Sequence, residues 1–201
     1  MSLLSGERQV APTIESIRAD HVNRYRLAEM LLKGSILDVA CGVGYGSWLM
    51  AQSKSVTRVD SIDIDAESIA YAKEHYATDK NHFTQTSIDE NFNPPDTDGV
   101  TALEIIEHIP NPELLLEKLR NTSKEAIFSV PNERVIPFDP VQFKYHLRHY
   151  TWEEFETLVN THYGKIKEYY IQKNKSPGDI YRGREEGWTL IVHAEAEPTS
   201  D

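Results

Sequence analysis

The chain has 201 residues, enough for one well-cored domain and too few for two large ones. Hydrophobic residues at 39% and charged residues at 26% place it among globular folds and exclude disordered or fibrous classes. Acidic side chains outnumber basic ones by 32 to 21, and the net charge of −11 argues against tight nonspecific duplex nucleic-acid binding, which draws on lysine and arginine.

The opening MSLLSGERQ lacks a secretory core, and MSL is expected to be a cloning remnant. Thr13 to Leu32 reads as an amphipathic helix, with Ile14, Ile17, His21, Tyr25, Ala28 and Leu32 at helical spacing and Gly34 as its stop. A buried strand, Ser35 to Ala40, runs into the turn CGVGYGS and a short helix through Trp48, Leu49 and Met50. A single cysteine, Cys41, rules out an intramolecular disulfide and fits a reducing, cytoplasmic setting. Val56 to Ile64 forms a second strand, after which Asp65 caps a helix whose inner face carries Ile69, Ala72 and Tyr76. His82 to Ser87 is a third strand, NFNPPDTDG a loop, and Val100 to Leu103 a fourth strand. Asn111-Pro112 opens a helix bearing Leu115, Leu116 and Leu119, and Ala126 to Val130 is a fifth strand. Thr151 and Glu154 form a capping box for a helix with Trp152, Phe155, Leu158 and Val159 inward. Ile166 to Ile171 and Trp188 to His193 then read as an antiparallel strand pair at the sheet edge. Lys165 to Arg184 is the one locally basic stretch, read as charge that solubilises an edge strand, with contact to a phosphate or nucleotide-sugar as the alternative. No run approaches the ~20 apolar residues of a membrane helix.

This alternation predicts an α/β fold: a doubly wound, mostly parallel sheet of seven strands ending in the antiparallel pair. A single domain spans 1–201, with a helical lid at 1–34, an insert at 131–150 on the acceptor side and a tail at 195–201. Ligands of such sheets bind at the carboxyl ends of the strands. Gly42 and Gly44 let backbone amides approach a ligand beside a helix N-terminus. Asp63, 21 residues after Gly42 at a strand end, is placed to accept two ribose hydroxyls. A nucleoside-type cofactor follows, with two classes open. The dinucleotide fingerprint wants glycine at the sixth place, where Ser47 stands, and a nicotinamide reductase also needs a substrate domain.

The arrangement D-x-A-C-G-x-G resembles motif I of class I S-adenosylmethionine-dependent methyltransferases, with Ala40 where that family usually has glycine. VDSIDID, FTQTSID, TALEIIEHIPNPE, FSVPNE and HLRHYTWEEF extend the resemblance from about Ser5 to His193. The EIIEH segment is similar to O-methyltransferases of ubiquinone synthesis and of cell-surface sugar pathways. The resemblance implies S-adenosylmethionine as cofactor and contacts at Asp38, Ala40, Gly42, Gly44, Asp63, Ile64, Ser87, Ile88 and Leu103. Asp38 is expected near the methionine end of the cofactor, while Ser87 stands where many relatives carry an aspartate for the adenine amino group. SGER with HVNRYRLAE is also similar to the sugar-pathway relatives, and that likeness implies a lid through Arg8, Arg24 or Tyr25, the alternative being a solvated helix face.

Methyl transfer from a sulfonium needs alignment and removal of a proton from the acceptor. Glu104, just past the fourth strand, with His108 and His146, forms the expected catalytic set, His108 serving as general base toward a hydroxyl. The spacing E-x-x-E-H with a later histidine also resembles small-RNA 3′-terminal 2′-O-methyltransferases. That likeness implies a divalent ion, Mg²⁺ or Mn²⁺, on Glu104, Glu107, His108 and His146. His149 is a competing histidine whose spacing fits that family less well. Asn93-Pro94-Pro95-Asp96 is a loop breaker, and Trp48, Trp152 and Phe155 are core. The expected activity is O-methylation of a small hydroxylated acceptor such as a sugar. RNA 2′-O-methylation, nicotinamide-dependent reduction and noncatalytic cofactor binding are the alternatives, and neither a membrane nor a duplex partner is expected.

Overall fold

Apolar strands flanked by glycine and proline assemble into one twisted sheet in the computed structural model, which describes residues 8–197. Strands β1 (Gly34–Val39), β2 (Val56–Asp63), β3 (Asn81–Gln85), β4 (Thr97–Leu103) and β5 (Ser123–Pro131) are parallel. Strands β6 (Gly164–Gln172), β7 (Ile180–Arg182) and β8 (Thr189–Ala196) complete an order of β3-β2-β1-β4-β5-β8-β6-β7. β8 runs antiparallel between β5 and β6, and β7 runs antiparallel to β6. The sheet therefore has eight strands where seven were expected. The extra one, β7, is a three-residue piece of the polar linker, too short to carry a periodic signal.

Helices α1 (Ala19–Leu31), α2 (Tyr45–Ala51) and α3 (Ala66–His75) cover one face of the sheet, while α4 (Pro112–Thr122) and α5 (Trp152–His162) cover the other. Neighbouring strand residues face opposite layers, as Ile36 and Leu37 do, and both are buried. That is why the parallel strands read as continuous apolar runs. The helix starts are local chemistry. Asp65 accepts from the Ser68 amide, Asn111 from Leu114, and Thr151 and Glu154 form the reciprocal box. Trp152 and Phe155 are buried as expected, Trp48 packs half-buried on the core, and Asn93–Asp96 lies in the loop before β4.

Among the boundaries that differ from the sequence expectation, three have a visible cause. The helix expected from Thr13 is a 3-10 turn at Ile14–Ser16 followed by α1 from Ala19, because Ile17 and Arg18 take extended backbone (ψ 140°). β4 begins at Thr97, where the polar Thr97–Gly99 stretch finds partners on β5. β8 reaches Ala196, inside the stretch expected as a tail, because Glu195 and Ala196 pair with Lys165 and Gly164 of β6. The expectations for residues 1–7 and 198–201 lie outside the described residues. Among the described residues, no helix is long and apolar enough to cross a membrane. The basic stretch lies at the sheet edge with four of its six basic residues in ion pairs: Lys167 to Glu125, Arg182 to Glu168, Lys173 to Glu185 and Arg184 to Glu156.

Thr151→Ala removes one hydrogen bond of the α5 capping box and is expected to lower stability by about 1 kcal/mol. Chemical denaturation would report this as a shifted midpoint with an unchanged slope.

Candidate functional site

β1 and β4 are neighbours whose connections leave in opposite directions, so a crevice opens past their carboxyl ends. The chain leaves β1 through Ala40 at φ 60°, and leaves β4 through Glu104 at φ 53°. A left-handed non-glycine residue costs about 1–2 kcal/mol, and both examples lie at this rim. The three glycines of the turn have separate uses. Gly42 (φ 57°) faces open space, where an added Cβ would meet nothing within 4 Å. Gly44 (φ 89°) caps α2, and a Cβ there would meet Ala72 at 2.7 Å and Phe83 at 2.8 Å. A Cβ on Gly46 would strike the Tyr25 ring at 2.2 Å, so this glycine lets α1 and α2 approach.

Asp63 ends β2 with its side chain 3% exposed. Its Oδ2 accepts from the Gly42 amide at 2.9 Å, and its Oδ1 accepts from the Asp65 amide at 2.9 Å and from Arg8 Nη2 at 3.0 Å. Arg8 also donates to Asp65 at 3.2 Å. The carboxylate thus stands where the sequence placed it, with the chain's own Arg8 as its counter-ion.

The crevice has a volume of about 830 Å³. Ala40, Gly42, Asp63, Ile64, Ser87, Ile88 and Leu103 of the expected cofactor set line it. So do Arg8, Arg24 and Tyr25, the expected lid residues. Asp38 and Gly44 do not line it: Gly44 packs into the helix layer, and Asp38 lies fully buried. Asp38 accepts from Ser47 Oγ at 2.6 Å, Thr101 Oγ1 at 2.8 Å and Tyr25 OH at 3.3 Å. Burial pushes its carboxyl up to about 6 against these hydrogen bonds, with Asp63 adding repulsion. Arg24, 4% exposed, donates to Gln172 at 2.5 Å and brings a buried positive charge to the lining. His21 lines the same wall, 3.1 Å from Tyr45 OH, and burial together with Arg24 lowers it to about 3. His21, Tyr45 and Gln172 were missed as site residues, because only the docking of α1 against α2 and β6 brings them to the crevice.

Glu104, Glu107, His108 and His146 also line the crevice. Ile106–His108 is a 3-10 turn, and Glu107 within it is fully buried. Neither Glu107 carboxylate oxygen has a hydrogen-bond partner among the described residues. Burial, then repulsion from Glu104, raises its pKa well above the ordinary value. Glu107, His108 and His146 offer ligand atoms that all lie within 4.8 Å of one another. Glu104 stays outside this group, its Oε1 accepting from Ser129 Oγ at 2.9 Å. His108 Nδ1 lies 2.9 Å from the Tyr145 carbonyl, and the Leu147 amide donates to the Glu107 carbonyl at 2.9 Å, so the 131–150 insert is fastened to this turn. The His108 and His146 rings meet edge-on at 4.5 Å, and burial lowers His146 to about 4. His149 lies behind His146, 2.8 Å from its Nδ1.

A family model described as a methyltransferase domain matches residues 15–171. A ubiquinone biosynthesis O-methyltransferase of Glaesserella parasuis is 30% identical over 100 residues, covering 45% of this chain and 41% of that protein. The corresponding protein of Rickettsia akari is 38% identical over 100 residues, covering 49% and 37%. The matched part of the chain thus spans less than half the length of these curated relatives. A solved structure from Listeria monocytogenes, described as that of an S-adenosylmethionine dependent methyltransferase, aligns with a TM-score of 0.70 at 17% identity. That alignment covers 89% of this chain and 100% of the other.

Between about pH 4 and 6 the folded chain keeps a proton on Asp38 that the unfolded chain releases. Its contribution to stability therefore falls as pH rises through that range and is level above it. Asp38→Asn removes this titration, so the melting temperature of the variant relative to the parent should rise between about pH 4 and about pH 7. A difference independent of pH would show that Asp38 does not titrate there.

Proposed function

The chain belongs to the methyltransferase-domain family, and from that premise we propose that it is an S-adenosylmethionine-dependent methyltransferase acting on a hydroxyl of a small hydroxylated acceptor, such as a sugar or related metabolite. One observation carries the reading. The open backbone at Gly42 faces the same crevice as Asp63, and the Gly42 amide itself holds that carboxylate. This is room and chemistry for a nucleoside sugar, with Asp63 accepting the two ribose hydroxyls. Family membership favours a sulfonium donor over a nicotinamide.

The remaining lining residues suit the other parts of such a cofactor. Ile64, Ile88 and Leu103 give apolar contact for a base, with the Ser87 hydroxyl as a polar contact. Arg24 carries the buried positive charge that a cofactor carboxylate requires. When bound, S-adenosylmethionine supplies a methyl group already activated on a positive sulfur. The chain's part is then to align the acceptor and to take its proton. His108 is the proton acceptor in this reading, with Glu104 and His146 in contact with the acceptor. Support for an oxygen acceptor comes from the ubiquinone O-methyltransferase relatives, at their modest identity and partial coverage.

A second reading rests on Glu107. A buried carboxylate without a hydrogen-bond partner costs several kcal/mol unless it is protonated or meets a cation. Two imidazoles beside it make a mixed nitrogen and oxygen donor set that fits Mn²⁺ or Mg²⁺. Glu107, His108 and His146 would hold the ion, and Glu104 would join only by leaving Ser129. The ion supplies Lewis acidity toward a hydroxyl. The two imidazoles then act as ligands, and the vicinal hydroxyls of an RNA 3′ end enter the acceptor class.

Calorimetric titration with S-adenosylhomocysteine tests the first reading, and absence of binding at high micromolar concentration ends it. Asp63→Ala should weaken binding by about 10–100-fold, the worth of hydrogen bonds to a charged group. Arg8→Ala, which clears the carboxylate, should strengthen it. His108→Ala should keep the affinity and slow methyl transfer by about 100-fold or more. Titration with Mn²⁺ separates the second reading: heat from the parent chain and none from Glu107→Gln is expected, and no heat from the parent removes the ion.

A further inference from the structure

His149 takes no part in the cofactor or acceptor contacts described above, yet both of its ring nitrogens are engaged in a side chain with 0% exposure. Its Nδ1 lies 2.6 Å from the Ile136 carbonyl oxygen, and its Nε2 lies 2.8 Å from His146 Nδ1. A carbonyl only accepts, so the His149 proton is on Nδ1. The Nε2 of that neutral ring is then an acceptor, and His146 must donate to it from Nδ1. In a neutral His146 ring this leaves Nε2 without a proton. The reverse polarity would need a charged His149 ring in a fully buried place. The carboxylate facing it, Glu133 at 4.0 Å, already accepts from the Phe138 amide.

We propose that His149 is a positioning residue, which fixes the His146 ring in the Nδ1-protonated tautomer and so turns an unprotonated Nε2 toward the crevice. The chain Ile136 carbonyl–His149–His146 reaches the crevice where His108 and Glu107 already stand. Histidine in water carries its proton mainly on Nε2, the tautomer in which that nitrogen cannot accept a proton or ligate an ion. Ligation of an ion by His146 under the proposed function needs the other tautomer, and in contact with the acceptor that tautomer receives the hydroxyl's hydrogen bond; on this point the inference rests on that reading. Packing alone does not call for a histidine here. Phe138 and Phe143 lie edge-on to the ring, and an aromatic side chain would fill the same space.

The test reads the tautomer directly, by two-bond proton–nitrogen correlation spectra of the histidine rings in the parent chain, His149→Phe and His149→Gln. The parent should show His146 protonated on Nδ1. The phenylalanine variant should move it toward Nε2 protonation. Glutamine, whose amide donates to Ile136 while its carbonyl accepts from His146, should restore the parent pattern. Methyl transfer should fall by about 10–100-fold in the phenylalanine variant, with S-adenosylhomocysteine affinity unchanged, and recover in the glutamine variant. An Nε2-protonated His146 in the parent overturns the proposal without any variant, as does a phenylalanine variant with the parent's tautomer. The spectra need neither cofactor nor turnover. An Nδ1-protonated His146 in a chain that transfers no methyl group would therefore sustain the positioning while refuting the proposed function.

Discussion

A carboxylate with no solvent exposure, Asp38, holds the walls of the crevice together. It accepts one hydrogen bond from each of three elements: Tyr25 of α1, Ser47 of α2 and Thr101 of β4. A buried carboxylate is costly unless donors meet it, and these three hydroxyls do so. Their convergence sets α1 across the mouth of the sheet, and Gly46 leaves the room that the Tyr25 ring needs. Arg24, the neighbour of Tyr25, thereby reaches the crevice. Helix α1 and the floor of the crevice are one hydrogen-bonded unit.

The other half of the crevice depends on the insert between β5 and α5. The Glu107–His108 turn gains its fixed place by two contacts with that insert, through the Tyr145 carbonyl and the Leu147 amide. The same insert supplies His146, and behind it His149, whose own anchor is the Ile136 carbonyl. Glu104 follows β4 and is held apart by Ser129 on the next strand. Two carboxylates of like charge near one another are thus kept in different settings, one bonded and partly open, the other buried and without a hydrogen-bond partner among the described residues. That asymmetry is what gives this side of the crevice its chemical interest.

The Arg8–Asp63 pair bears on how the crevice would admit a ligand. Arg8 is partly exposed, and ion pairs of that kind contribute about 0–1 kcal/mol. Two hydroxyls bonding to a carboxylate are worth more than this, so the pair is a weak competitor for a ribose. It also keeps Asp63 from standing uncompensated beside Asp38, whose ionisation Asp63 opposes.

The sequence by itself determined whatever depends on neighbours in the chain. The caps at Asp65, Asn111 and Thr151, the glycine turn after β1, and the spacing from Gly42 to Asp63 are short-range chemistry, and they were legible as such. So was the class of sheet, since apolar strands alternating with capped helices admit few arrangements. Only the tertiary structure decided that Asp38 is a buried strut and not a lining residue, because its donors come from three separate elements. It decided that β8 enters the sheet interior and reaches Ala196, because its partners on β6 are remote in sequence. It decided too that Glu104 stands apart from Glu107, His108 and His146, and that His149 meets His146. Spacing gives the face on which a side chain falls, but a hydrogen bond between distant segments depends on how the sheet brings them together.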